Sequence, residues 1–161
     1  MEEVESNVTV EESGSIRLGC SIPTQSSRDS RFSVSWYVVR SDDDDSSSIG
    51  ISSGSDHECV FSIGHDAVFG NGNCSPTEQP GPESRLQFER TTSDLYTLTI
   101  QRARTGDAGG YYCHVEEWLL NPRGAWYRLT TNNSGITIIN VLQKGTASNM
   151  LSIFYIVYMK I

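Results

Sequence analysis

Apolar and polar residues alternate along most of this chain, and no stretch carries a sustained helical stripe. Ser15 to Ile22 sets Ile16, Leu18, Cys20 and Ile22 on one side, and Phe32 to Val39 does the same with Phe32, Val34, Trp36 and Val38. Leu86 and Phe88 share a face within 85–90, while Tyr96, Leu98 and Ile100 are separated by threonines. Tyr111, Cys113 and Val115 align within 110–115, and residues 136–141 are largely β-branched. A period of two with β-branched and aromatic residues marks half-buried strands. Several such strands with turn residues between them predict an all-β sandwich or barrel. Two stretches read as loops: the Ser/Asp run at 41–48 with its Ser/Gly continuation to 55, and the Gly/Pro-rich segment 70–82.

Composition narrows the function classes. A length of 161 residues suits one domain. With 20 acidic and 12 basic residues the net charge is −8, which opposes binding to a phosphate backbone. The charge is uneven: residues 1–84 hold 15 acids and 4 bases (−11), and residues 85–161 hold 5 and 8 (+3). No apolar run is long enough for a membrane-spanning helix, and Met1-Glu2-Glu3-Val4-Glu5 lacks the order of a signal peptide.

Candidate chemistry fails on context. Asp42 to Asp45 are consecutive, so they cannot all face one cation, and the acid-x-acid spacing of a calcium loop is missing. His57 and Cys59 stand two apart without a second pair of zinc-like spacing, so no metal is expected. Gly50-Ile51-Ser52-Ser53-Gly54 matches a nucleophile elbow in letters only, because no strand precedes it and no helix follows. Cys113 and His114 are strand neighbours that point to opposite faces. His57 and His65 fall in edge and loop positions without a convergent carboxylate pair. The expectation is a non-enzyme without a cofactor or small-molecule substrate.

Cys20 and Cys113 lie on the inward faces of two predicted strands, with Trp36 inward on the strand after the first. That arrangement lets a disulfide join two sheets while the indole packs on it. Asp107-Ala108-Gly109-Gly110-Tyr111-Tyr112-Cys113 puts Tyr111 two residues before the cysteine, as a tyrosine corner requires. Over about 7–141 the chain therefore resembles the immunoglobulin superfamily, variable-type set, a Greek-key β-sandwich. The resemblance implies an ion pair between Asp107 and Arg85. It also implies strands A near Val8–Glu12, B at 15–22, C at 32–39, C′ at 59–63, C″ near 67–70, D at 84–90, E at 95–101, F at 110–118 and G at 135–141. Cys59 and Cys74 flank the expected C′–C″ hairpin, which suggests a second bridge, although four cysteines allow three connectivities. Residues 1–6 would lead into strand A.

Asn7, Asn73 and Asn132 each begin a glycosylation sequon. With the cysteines they favour an extracellular module. The outward residues of strand F would be Tyr112, His114, Glu116 and Trp118, followed by a loop that bears Arg123, Trp126 and Tyr127. These types anchor binding surfaces, yet Trp118 and Trp126 packed against each other would rigidify a hairpin instead. Glu117-Trp118-Leu119, followed by Gly124-Ala125-Trp126-Tyr127, resembles the Glu-Trp-Ile (EWI) motif subfamily, with leucine for isoleucine. That resemblance implies a type I membrane glycoprotein with tandem variable-type domains, exposed on the outer face of the plasma membrane. It further implies regulation of adhesion, migration or immune-cell activation, and tetraspanin association through membrane-proximal parts rather than through these residues. A structural spacer and a truncated or secreted fragment are the alternatives. Residues 142–161 are expected to form an irregular, apolar tail, truncated or non-native, and an aggregation hazard if exposed.

Overall fold

The alternating segments pair into two stacked sheets in a computed structural model of the chain, which describes residues 4–40, 57–69, 74, 84–144 and 156–161. The strands are β1 (Val4–Glu11), β2 (Ile16–Ser21), β3 (Arg31–Val39), β4 (His57–Ile63), β5 (Leu86–Thr92), β6 (Leu95–Ile100), β7 (Gly109–Leu120), β8 (Trp126–Asn133), β9 (Ile136–Leu142) and β10 (Ile156–Met159). One sheet has the order β1-β9-β7-β3-β4, with β8 also paired to β7; the other runs β10-β2-β6-β5. Strand β1 lies parallel to β9, whereas β3, β4, β7, β8 and β9 pair antiparallel. This is the variable-type immunoglobulin sandwich.

The inward residues named by the alternation meet between the sheets. Ile16, Leu18, Cys20, Val34, Trp36, Val38, Leu98, Ile100, Tyr111, Cys113 and Val115 are all buried. Cys20 bonds to Cys113 across the core with a Cα–Cα distance of 6.2 Å. Trp36 stands opposite Cys113 in the β3–β7 register and is fully buried. Its ring contacts Phe61 and Phe88, each at 6.1 Å, which continue the core toward the β4 and β5 edges. Cys59 bonds to Cys74, so of the three connectivities the one with nested loops of 93 and 15 residues is present.

The lower end of the sandwich is closed by polar contacts. Arg85 pairs with the Asp107 carboxylate, and the same carboxylate accepts from the Arg104 backbone N–H. The Tyr111 hydroxyl donates to the Asp107 carbonyl at 2.5 Å. Burial first, and the Asp107 charge second, push the Tyr111 phenol well above its ordinary value of 10. The folded chain therefore keeps a proton that the unfolded chain releases. Stability is intact below about pH 10 and falls as pH rises toward the folded value, by up to about 1.4 kcal/mol per pH unit. Tyr111→Phe will cost about 1 kcal/mol at neutral pH and will flatten that alkaline decline. Urea midpoints at neutral and alkaline pH measure both.

Four expected elements differ. Strand A, expected near Val8–Glu12 with residues 1–6 leading into it, is β1 from Val4 to Glu11, because residues 4–6 already pair with β9. Strand C″ at 67–70 is reduced, among the described residues, to a single bridge between Phe69 and Ile63. Its Asp66-Ala67 turn, with Ala67 at positive φ, gives the chain no length over which to pair. Strand G at 135–141 begins at Ile136, and a further strand, β8, precedes it. The segment Trp126–Asn133 lacks an alternating apolar face because it extends beyond the core, so its strand character comes from pairing with β7. The tail is not irregular throughout: residues 156–159 form β10, parallel to β2. Val157 and Met159 fall on one side of that strand, and Met159 is buried in the core. The Asp42–Asp45 run, the Gly50–Gly54 string and Asn73 lie outside the described residues.

Candidate functional site

Alternation along β7 decides which of its residues face the core and which face outward. Tyr111, Cys113, Val115 and Glu117 are buried, while Tyr112, His114, Glu116 and Trp118 are half-buried on the outer side of the β3–β4–β7–β8 sheet. A connected strip of rings and charges results. Tyr112 stacks on Tyr37 of β3 with centroids 5.3 Å apart, and its hydroxyl lies 2.6 Å from His57 Nδ1 on β4. His114 meets the edge of Tyr37 and places Nε2 3.0 Å from Glu116 Oε1. Arg128 of β8 donates to that same oxygen at 3.3 Å. With the Arg128 side chain 56% exposed, this pair contributes at most about 1 kcal/mol and acts mainly to orient Glu116.

The two indoles do not simply pack on one another. His65, in the turn after β4, stacks on Trp118 at 5.0 Å and lies against Trp126 at 4.8 Å. Trp118 Nε1 also donates to Ser33 Oγ at 3.0 Å. Beside the alternative of direct Trp118–Trp126 packing, the rings found are a three-ring row in which the His65 imidazole bridges the two indoles. Ser33 and Tyr37 are the outward positions of the strand whose inward positions the alternation identifies, so they were open to sequence reasoning. His65 carries no such signal, because only the β4 turn brings it to β7.

Glu117 behaves unlike its neighbours. It is 3% exposed, and both its carboxylate oxygens accept from the Ser26 N–H at 3.2 Å. Leu119 is half-buried opposite Tyr127. The Glu-Trp-Leu segment therefore ties four elements together: the β2–β3 turn through Glu117, β3 and the turn after β4 through Trp118, and β8 through Leu119.

The β7–β8 hairpin that presents Arg123 is preset locally. Asn121 Oδ1 accepts from the Arg123 and Ala125 N–H groups, each at 2.9 Å, and Gly124 supplies the positive φ of 85° that closes the turn. Tyr127 is exposed on the strand that follows. Of the sequon residues, Asn7 and Asn132 are exposed; Asn7 accepts a hydrogen bond from Asn140. Ser134 of the third sequon is buried, its hydroxyl accepting from the Cys113 N–H. Among the described residues no group of three metal-ligating side chains occurs, and no helix is long and apolar enough to cross a membrane.

The profile of the immunoglobulin V-set domain matches residues 3–133. The chain belongs to the immunoglobulin V-set family. Within it, the relatives are those of the EWI subfamily. This V-set domain is 37% identical over 134 residues to immunoglobulin superfamily member 3 of Xenopus laevis, covering 83% of this chain and 10% of that protein. It is 24% identical over 138 residues to human immunoglobulin superfamily member 2, covering 86% of this chain and 12% of that protein. The domain thus spans about a tenth of the length of these relatives. Murine CRIg has the same fold, with a TM-score of 0.53 at 17% identity over 88% of this chain and 97% of that one.

Proposed function

We propose that this V-set domain is a non-enzymatic recognition module on the outer face of the plasma membrane, part of a cell-surface glycoprotein that regulates adhesion, migration or immune-cell signalling. Its partner is another cell-surface protein, and it meets that partner with the outer face of the β3–β4–β7–β8 sheet. The observation that carries this reading is the connected strip Tyr37, Tyr112, His114, Glu116 and Arg128, half-exposed rings around an oriented ion pair. Tyr and Arg in such a setting anchor interfaces, because the rings offer contact area at low entropy cost. Trp118 and Trp126 stiffen the upper end of the strip, and Arg123 and Tyr127 extend it along the hairpin. No cofactor is needed for such a role. Glycans on Asn7, Asn73 and Asn132 would serve solubility; one on Asn132 would stand beside β8, which among the described residues pairs on one side only.

Soluble tetramers of the chain, applied to a panel of cells, test the reading. Tyr112→Ala will reduce staining of the positive cells at least about tenfold while the melting temperature stays within a few degrees. Unchanged staining with lost stability would leave only a spacer.

A further inference from the structure

At the upper end of the sandwich an open cleft of about 510 Å³ lies between the two sheets. Among the described residues a bridge, not a strand, follows β4, and these residues leave the gap between β4 and β5 uncovered. Its volume falls in the range of sites for small organic ligands, and is too small for a folded partner's surface. Phe32, Tyr96 and Trp126 supply ring walls from three different elements.

Three arginines surround it. Arg28 comes from the β2–β3 turn, Arg31 from the first position of β3 directly after it, and Arg90 from β5 on the opposite wall. Among the described residues none of the three has a carboxylate partner; Arg90 lies over the Tyr96 ring, 5.4 Å from its centroid. Among the described residues of the lining Asp29 is the single acid, which leaves them a charge of +2 in a chain of −8.

The turn is held rather than loose. Ser30 N–H and Oγ both donate to the Ser27 carbonyl, Gln25 Nε2 donates to the Ser30 carbonyl, and Glu117 grips the Ser26 N–H. Guanidinium forks on a fixed turn, facing aromatic walls, suit a ligand with an anionic head on a compact body whose C–H faces can lie on rings.

We propose that this cleft binds an acidic sugar residue, carboxylated or sulfated, at the end of a cell-surface glycan. Arg28 and Arg31 engage the acid group from one wall, Arg90 bounds it on the other, and the sugar ring packs on Trp126 and Phe32. The site adjoins the upper end of the protein-recognition strip at Trp126, but none of Tyr37, Tyr112, His114, Glu116 and Arg128 lines it.

Ligand-observed NMR on the intact chain tests this with 3′-sialyllactose, 6-sulfated N-acetyllactosamine, lactose and a sulfotyrosine peptide. At least one acidic sugar is expected to bind with Kd of about 1 mM and to weaken as salt rises, with lactose at least about tenfold weaker. The two acidic sugars distinguish carboxylate from sulfate. Arg31→Gln and, separately, Arg90→Gln will each weaken binding about tenfold without moving the melting temperature, because both side chains are exposed. Equal binding of lactose, wild-type binding by either arginine variant, tighter binding of the peptide, or no saturation by about 10 mM would each overturn the proposal. Tyr112→Ala will leave the sugar affinity unchanged, so failure here and failure of the protein-recognition reading separate cleanly.

Discussion

Replacing Cys20 and Cys113 by alanine will cost this domain about 4–5 kcal/mol, enough to unfold much of it at physiological temperature. The bond joins residues 93 apart, and closing a loop of that length removes about 4.7 kcal/mol of chain entropy from the unfolded state on the loop-entropy account. Both cysteines are fully buried, so the alanines also leave space beside Trp36, whose fit depends on the sulfur bridge opposite it in the β3–β7 register. The Cys59–Cys74 bond closes only 15 residues, and its removal will cost about 3 kcal/mol. Urea denaturation of the two double variants should place the Cys20/Cys113 midpoint well below that of the Cys59/Cys74 variant. The reverse order would mean that the central bond strains the native sandwich.

Glu117→Ala will lower stability by about 3 kcal/mol, more than any single change among the outward residues of β7. The carboxylate is buried at the end of the sandwich and holds the Ser26 N–H with both oxygens, a charge-assisted contact of about 1.5–3 kcal/mol. Truncation adds the cost of the space left behind. Glu117→Gln keeps shape and acceptor but removes the charge, so it should recover about half of the loss. Thermal melts measure both variants. Amide hydrogen exchange over 23–30 adds a local readout: faster exchange there, with β5 and β6 unchanged, is the signature of an untethered turn. A Glu117→Ala variant as stable as the parent would show that water replaces the carboxylate at no cost. Because the same turn carries Arg28 and leads directly into Arg31, its anchoring also shapes the cleft above it.

Alternation around Cys20, Trp36 and Cys113 was enough to assign the sandwich, because side chains of a strand must take opposite sides and only one side here is apolar. Strand β8 escaped that logic. Thr130, Thr131, Asn132 and Asn133 bury nothing, and they are extended because β7 offers hydrogen-bond partners. The C″ segment failed in the opposite sense, since Val68 and Phe69 look strand-like but remain exposed beside a tight turn. Tyr112, His114 and Glu116 were placed outward by spacing alone. Their partners His57, Tyr37 and Arg128 come from other strands, and a register sets those contacts.

Period two, with Cys20, Trp36 and Cys113 on inward faces, made the fold class and the inward face of each main strand legible in the chain; the family entered as a resemblance and is shown by the V-set profile. Tertiary structure alone decided what Glu117, His65 and the arginines do. One strand residue, Glu117, is a buried carboxyl because the β2–β3 turn offers it an N–H. A loop histidine joins two indoles because the β4 turn folds over β7. Arg28 and Arg90, 62 positions apart in the chain, face one cleft because the two sheets stack. Local patterning encodes which side of a strand is dry; which groups meet across the sandwich follows only from register and stacking.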